Sequence, residues 1–412
     1  MKIVIHAINF APDLTGTGKY TGELAFWLSS RGHEIRVVTA PPYYPQWKVD
    51  GRRGYYREIM NGIYVWRCPL YVPSKPTGLK RILHQATFAI FSVPVMLRQI
   101  LWRPDIVLVI EPALLCLPSA LMVASLSGAK SWLHIQDFEI DAAFSMGLVR
   151  SKGLKYFLLE FERCLMDCFS MVSTISKKML HLVVAKGVAY EKTTLFPNWV
   201  DTSIIRPMLN RAVINSNAGE EGYRAKLGIS KNDIIALYSG NMGEKQGLEI
   251  IIEAAHIFLN SKNIHFLFCG DGTAYSRLRA SAEGINNIHW IPLQPYEKLN
   301  ELLNVADIHL LPQVASIADL VMPSKLTGIF ASGRPVVVVA EQGTSLSDVV
   351  KASGGGLTVL PGDVDGLVSA LSILIENPET RNQMGQSARN YAVKYLDINL
   401  ILLNFEKTLK TL

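Results

Sequence analysis

Short, β-branched apolar runs alternate along this chain with longer stretches whose apolar residues recur at helical spacing. Ile3–Ile8, Glu34–Thr39, Ile63–Arg67, Ile106–Ile110, Ser131–Ile135 and Met171–Thr174 are the strands expected in the first half. Ile234–Ser239, His265–Cys269, Ile288–Ile291, Ile308–Leu310 and Val336–Ala340 are those expected in the second. Continuously apolar strands separated by helices predict parallel sheets covered on both faces, with ligand loops at the strand carboxyl ends. Two strand–glycine loop–helix beginnings occur. One runs from Lys2–Ile8 into Gly16-Thr17-Gly18-Lys19-Tyr20, the other from Ile234–Ser239 into Gly240-Asn241-Met242-Gly243-Glu244-Lys245-Gln246-Gly247. The pattern predicts an α/β protein of two doubly wound, Rossmann-like domains facing each other across a cleft. The polar stretch 209–222 lacks apolar periodicity and marks the linker. The expected domains are 1–205 and 206–389, and the periodic segment Ala388 to Leu412 is expected to return to the first domain as a helix from about 390.

Composition narrows the class. A chain of 412 residues, 49% hydrophobic and 18% charged, suits a packed globular enzyme and argues against disorder. Its five cysteines fit neither a zinc pattern nor a disulfide framework, and Cys164 and Cys168 are expected to pack on a helix in a reducing cytoplasm. The net charge of +6 conceals an asymmetry: residues 1–200 carry 23 Lys/Arg against 14 Asp/Glu, and residues 201–412 carry 18 against 21. A basic first half suits an anionic membrane surface or a basic acceptor cleft, and charge alone does not choose between them. Lys2–His6 reads as a strand and not as a secretory leader. Windows 82–97 and 113–126 are apolar, but each contains proline and is shorter than the roughly 20 residues of a spanning helix. Both are expected to be buried or interfacial helices, with peripheral attachment through 80–103 left open.

The glycine loop after Ser239 has the form of an anion cradle, because backbone N–H groups and a helix start converge there. Gly240, Asn241 and Gly243 with Lys245 are therefore expected to hold a diphosphate. Ser324 is an expected N-cap, and Lys325 sits in a first helical turn, where the dipole favours acids. A cation there points to an anionic ligand gripped from the side opposite Lys245; solvated surface lysines are the plain alternative. In the first half, Gly16-Thr17-Gly18-Lys19-Tyr20-Thr21-Gly22 departs from the dinucleotide fingerprint, since the third glycine falls one place late. That argues against dehydrogenase chemistry and for a loop whose backbone approaches a substrate. His134, Gln136 and Asp137 end a strand, where they are expected to hold sugar hydroxyls or take a proton. The spacing Asp137-x-Glu139-x-Asp141 tempts a metal reading, but no His or Cys cluster accompanies it. Tyr43, Tyr44, Trp47, Tyr55 and Tyr56 interleave with Lys48, Arg52, Arg53 and Arg57, a mixture suited to stacking on a sugar acceptor. No nucleic-acid recognition fold accompanies it.

The opening NFAPDLTGTGKYTGELAFWLSSRGHEIRVVTAPPYYP, the segment WLHIQDFEIDAAF, PNWVD at 197–201, CGDG at 269–272 and MPSKLTGIFASGRPV together resemble the family 4 glycosyltransferases of the GT-B fold over nearly the whole chain. The nearest resemblance is to enzymes of the colanic-acid type of bacterial exopolysaccharide synthesis. It implies sugar transfer from a nucleotide-sugar to a lipid-diphosphate-linked saccharide at the cytoplasmic membrane face, with retention of configuration and without metal or other cofactor. It also implies an N-terminal acceptor domain and a C-terminal donor domain. Gly16 and Gly18, with Thr17 between them, match the family's N-terminal glycine loop, and His134 and Asp137 sit where the family touches the transferred sugar. Lys245 matches one of two basic diphosphate contacts, and Asn241 stands where the other is usually arginine. The family's paired glutamates would fall near Leu320 and Gly328, so both are absent; Lys325 is expected to substitute. Gly270, Asp319, Glu341 and the Gly343-Thr344 backbone are further donor-site candidates. GDP- and UDP-sugars, GDP-fucose among them, are the expected donors. A nucleotide-sugar epimerase and a non-catalytic partner in a polysaccharide assembly complex are the rival readings.

Overall fold

A computed structural model describes residues 1–13, 16–44, 46–49, 51–74, 78–112, 114–138, 140–141, 152–208, 222–261, 263–315 and 323–412, with the backbone alone for 152, 154, 155, 157 and 245. The chain divides into two compact units. Unit 1 comprises Met1–Pro197 and Leu402–Leu412, and unit 2 comprises Asn198–Ile401. The first division falls eight residues before the expected one because Val200 pairs with Asp397 and Arg389 donates to the carbonyls of Thr202 and Ile205.

Among the described residues unit 1 holds an eight-stranded sheet. Its strands are β1 (Lys2–Ala7), β2 (Glu34–Thr39), β3 (Tyr56–Met60), β4 (Ile63–Arg67), β5 (Ile106–Glu111), β6 (Lys130–Ile135), β7 (Met171–Thr174) and β8 (Thr193–Leu195), in the order β3-β4-β2-β1-β5-β6-β7-β8. All neighbours are parallel except β3, which runs antiparallel to β4. Helices α1 (Gly16–Ser30), α2 (Gly78–Ile100), α3 (Leu117–Ser127), α4 (Lys152–Asp167) and α5 (Lys177–Ala185) lie between the strands in sequence. β3 and β8 escape the hydrophobic pattern because each lies at an edge and keeps exposed positions. Cys164 of α4 and Cys168, the residue just after it, are exposed and not packed, and the Cys168 thiol donates to the Cys164 carbonyl.

Unit 2 has a wholly parallel sheet, β9 (Ile234–Ser239), β10 (Ile264–Cys269), β11 (Ile288–Ile291), β12 (Ile308–Pro312), β13 (Val336–Val339) and β14 (Gly356–Val359), in the order β11-β10-β9-β12-β13-β14. Its alternation explains the apolar runs. Ala236 and Tyr238 of β9 and Val337 and Val339 of β13 enter one core, whereas Ile235, Leu237, Val336 and Val338 face cores on the other side. Both faces are thus covered, and each large side chain so buried contributes about 1.5–3 kcal/mol. β14 escaped the pattern because it opens on Gly356, where a Cβ would strike the Val336 carbonyl.

The last segment is not one helix. α10 (Pro378–Tyr391), which follows α6 (Glu249–Ile257), α7 (Lys325–Ala331), α8 (Ser345–Ser353) and α9 (Val364–Glu376), runs into a π-turn at Ala392–Leu396, and α11 (Ile398–Thr411) starts after Asp397. Asp397 interrupts it by accepting from the Thr202 hydroxyl (2.5 Å). Only from Leu402 does α11 belong to unit 1, where Phe405 packs on Trp132 and Phe196 and the Glu406 carboxylate accepts from Arg31 (3.2 Å), His33 (3.1 Å) and Lys410 (2.7 Å).

Candidate functional site: a lysine pocket and an aromatic cavity

In unit 2, β9 and β10 end side by side on glycine. Gly240 donates to the Cys269 carbonyl (2.8 Å), Met242 to Asp271 (2.8 Å) and Gly270 to Ile291 (3.1 Å). A Cβ on Gly270 would collide with the Gly240 carbonyl, and one on Gly272 with that of Met242. These glycines exist so that backbone can press on backbone. The consequence corrects the expected cradle: the Gly240 and Met242 amides are engaged with carbonyls, and the Gly243 amide donates to Gln246 Oε1 (3.0 Å). The side chain of Lys245 lies outside the described residues, as do Asp319, Glu139 and most of the expected linker.

What converges at the end of β9 is Lys325. Its Nζ donates to the Tyr238 hydroxyl (2.7 Å) and lies 4.2 Å from the Tyr238 ring centroid, while that hydroxyl donates to the Asn241 carbonyl (2.6 Å). Gly240 makes the room, since a Cβ there would come within 2.6 Å of the lysine Nζ. No carboxylate pairs with Lys325 among the described residues, and burial lowers its pKa to about 7. Enclosure disfavours the charged form, and an arriving anion reverses that preference. The neighbouring candidates behave differently. Ser324 occupies the N-cap position of α7 in a helical conformation, and its side chain makes no capping bond. The Thr344 hydroxyl accepts from the Ser347 amide (3.3 Å) and donates to the Glu341 carbonyl (2.8 Å), so it caps α8. Glu341 and Asn241 are exposed.

Unit 1 carries a cavity of about 180 Å³ beyond the end of β1, lined by Gly16, Thr17, Tyr43, Tyr44, Trp47 and Asp137, and by Asn9, Arg81, His84 and Gln85, which the sequence reading did not single out. Gly18 does not line it: a Cβ there would press on Asp13 at 2.6 Å, so this glycine lets α1 close over that carboxyl. Asp13 accepts from Asn9 Nδ2 (3.3 Å), and burial raises its pKa to about 6. Arg67, almost wholly buried, ties the loops together by donating to the carbonyls of Ala11 (2.5 Å) and Ala40 (2.9 Å).

Several expected members stand elsewhere. Arg52 and Arg53 are exposed and outside the lining. His134 is fully enclosed: its Nδ1 lies 2.9 Å from the Ser173 hydroxyl, its Nε2 accepts from Gln136 (2.9 Å), and burial lowers its pKa to about 3. With both ring nitrogens bonded inside the protein, it braces β6 against β7 and stands outside the cavity lining. Asp141 pairs with Lys186 (2.6 Å), which also pairs with the buried Glu162. Of the acidic triplet, Asp137 alone is seen at the cavity. Among the described residues no cluster of three or more His, Cys, Asp or Glu is placed to hold a metal ion, and no helix is long and apolar enough to cross a membrane.

Comparison with known proteins decides the class. The family model for glycosyl transferase 4-like domains matches residues 15–199, and that for glycosyl transferases group 1 matches residues 219–391. The chain is 41% identical over 98% of its length, and 98% of the relative's, to an Escherichia coli K12 protein named as the colanic acid biosynthesis glycosyl transferase WcaI. The chain belongs to the family 4 glycosyltransferases. Solved structures agree on the fold. Sucrose-phosphate synthase of Thermosynechococcus elongatus superposes with a TM-score of 0.77 at 15% identity, covering 100% of this chain and 98% of that one. HepE of Anabaena, solved in complex with UDP, superposes with a TM-score of 0.74 at 15% identity over the whole of both chains. This glycosyltransferase therefore has the GT-B fold of two Rossmann-like, parallel-sheet domains, and Gly240, Gly270 and Lys325 lie in the group 1 segment, Tyr43, Trp47 and Asp137 in the 4-like segment.

Proposed function

We propose that this glycosyltransferase moves a sugar from a nucleoside-diphosphate sugar held by unit 2 to a saccharide acceptor received by unit 1, in synthesis of an exopolysaccharide of the colanic-acid type. The observation that carries the reading is the Lys325 amine, enclosed against Tyr238 and Gly240 at the end of β9 with a pKa near 7. In transfer the bond from the anomeric carbon to the diphosphate breaks, a bond to the acceptor hydroxyl oxygen forms, and the hydroxyl proton leaves with the departing phosphate oxygen. Negative charge grows on that oxygen. A lysine that gains its proton as the diphosphate arrives stabilises the charge, and one such preorganised contact is worth about 3 kcal/mol. Lys245 is assigned to the same anion, and Ser324, Asn241, Glu341 and the backbone at Gly343 to the rest of the donor. With two lysines as counter-charges, transfer proceeds without a divalent metal; an acceptor whose proton goes to the departing phosphate oxygen attacks from the leaving-group face, which retains the anomeric configuration.

The identity with WcaI supports the exopolysaccharide assignment, and the UDP complex of HepE supports a nucleotide donor, UDP- and GDP-sugars both being candidates. A lipid-diphosphate-linked acceptor and peripheral attachment to the inner face of the cytoplasmic membrane find support in α2. Its inner face buries His84, Phe88, Ser92 and Met96, while Leu79, Ile82, Leu83 and Ile90 are at least half exposed beside Lys80 and Arg81. An apolar stripe edged by cations suits an anionic leaflet.

Calorimetry with UDP and GDP, followed by product analysis with their sugars in EDTA, tests the proposal. Micromolar nucleotide binding that Lys325→Met weakens, and transfer with retention in EDTA, are the expected results. Absence of nucleotide binding overturns the reading.

A further inference from the structure

Among the described residues of unit 1, His6 Nδ1, His33 Nδ1 and His84 Nε2 are buried without a hydrogen-bond partner, and of these three residues His84 alone lines the cavity. It is 2% exposed, it lines the cavity beyond β1, and its Nδ1 lies 2.6 Å from the Tyr71 carbonyl. A carbonyl can only accept, so the proton sits on Nδ1 and Nε2 presents a lone pair. That Nε2 is buried and has no hydrogen-bond partner among the described residues. Buried acceptors are rarely left without a donor, so this one calls for a group from outside the protein. Burial and the nearby Arg81 also hold the ring below its ordinary pKa, which keeps the lone pair available at neutral pH.

The surroundings say what that group belongs to. Tyr43 meets His84 edge-on at 4.6 Å, Trp47 lies 5.2 Å from it, and the two aromatic rings are 5.6 Å apart. Trp47 holds a left-handed backbone conformation (φ 53°), which is strained for a residue with a side chain and is tolerated where the surrounding structure fixes it for a purpose. Aromatic walls offer faces for the C–H side of a sugar ring, and Asn9, Gln85 and Asp137 supply polar groups for its hydroxyls. The volume of about 180 Å³ equals roughly six waters. That is room for one sugar ring.

Resting on the reading that unit 1 receives the acceptor, we propose that the terminal sugar of the acceptor seats in this cavity against Trp47 and Tyr43, and that His84 selects it by accepting a hydrogen bond from one of its hydroxyls at Nε2. His84 is thus a specificity residue for the acceptor. The donor does not use it.

Saturation-transfer NMR on the full chain tests this with the methyl glycosides of glucose, galactose, mannose and fucose, each with and without UDP or GDP. At least one glycoside is expected to give a signal that neither nucleotide displaces. His84→Asn keeps an amide donor for the Tyr71 carbonyl and removes the acceptor at the ε position, so it should weaken that glycoside at least tenfold with nucleotide affinity unchanged. His84→Gln restores an acceptor there and should recover part of the loss, and Trp47→Ala should abolish the signal. The proposal is overturned by a glycoside that binds equally to His84→Asn, by one displaced by nucleotide, or by silence from all four while UDP or GDP binds. The last result leaves the transferase reading standing. Failure of both nucleotides to bind removes that reading and this one together.

Discussion

The two units open on glycine-rich loops that look alike in sequence and do different work. In unit 2, Gly240, Gly270 and Gly272 let two strand ends press backbone on backbone, and the Gly240, Met242 and Gly243 amides are bonded within the protein. In unit 1, Gly18 and Gly22 let α1 settle on the side chains of Asp13 and Ala11, and the open space lies beside the loop, walled by side chains from distant segments. The lesson is that a glycine cluster reports close approach. What approaches is settled by the rest of the fold, and in both units the contacts we propose for the ligands are side chains: Lys325 and Tyr238 in one, Trp47, His84 and Asp137 in the other.

The sharpest way to break this comparison is to add one methyl group to each loop. Gly270→Ala forces a Cβ into the Gly240 carbonyl at a φ of 139°, and neither backbone can yield without breaking the sheet end. A loss of at least about 4 kcal/mol is expected. Gly16→Ala meets nothing within 4 Å and suffers only its φ of 60°, which costs about 1–2 kcal/mol. Urea denaturation of the two variants checks the contrast; equal losses would mean that the unit 2 glycines serve conformation and not contact.

Next in size is the lysine pair. Lys325→Met keeps the stem that fills the channel beside Gly240 and removes the charge. It should lower kcat/KM about a hundredfold, or about 2.7 kcal/mol, with the fold intact. Lys245→Ala should lower turnover about tenfold, or about 1.4 kcal/mol, with the fold intact. Steady-state kinetics with saturating acceptor measures both. If Lys245→Ala proves the more damaging, the enclosed amine is a structural prop and the anion sits on the exposed side of the loop.

The same two loops show how much of the molecule could be read in advance. The strand runs and the parallel α/β architecture were legible because both sheet faces are buried, which writes uninterrupted apolar strands into the sequence. β3, β8 and β14 were not, since edges and a packing glycine leave no such signature. Lys325 was legible from its place in a first helical turn, but its partner Tyr238 looked like any strand residue. His134 misled because a polar residue at a strand end resembles a ligand until its bonds to Ser173 and Gln136 are seen. His84 was overlooked inside an apolar window. A histidine–glutamine pair at 84–85 in such a window was the available signal, since a helix turns a polar residue toward its buried face only when something there needs it.

The smallest effect separates the units by pH. Lys325 releases its proton at about 7 in the folded protein and at 10.5 when unfolded, so between those values the unfolded chain holds more protons and unit 2 gains stability as pH rises. Glu406 in unit 1 has the opposite origin. Bonds from Lys410 and His33, with Arg31 nearby, hold its pKa at about 2 against 4.5 unfolded, so its contribution is complete above pH 4.5 and is lost as pH falls toward 2. Asp13, raised from 3.8 to about 6, is protonated in both states below 3.8, whereas His6, His134 and His309, each lowered from 6.5 to about 3 by burial, lose stability in the same direction as pH falls and share that acid window with Glu406. Each slope is at most about 1.4 kcal/mol per pH unit. Thermal melting from pH 7 to 9 should show a rise that Lys325→Met abolishes and Glu406→Gln leaves alone, and melting from pH 3.8 to 2.5 should show a fall that Glu406→Gln reduces, the buried histidines supplying the remainder, and that Lys325→Met leaves alone. Saturating nucleotide must flatten the alkaline rise, because a bound diphosphate holds the lysine proton in the folded state as firmly as water does in the unfolded one. An alkaline rise that persists unchanged under nucleotide would place the anion away from Lys325 and leave the unit 2 loop as nothing more than a tight strand end.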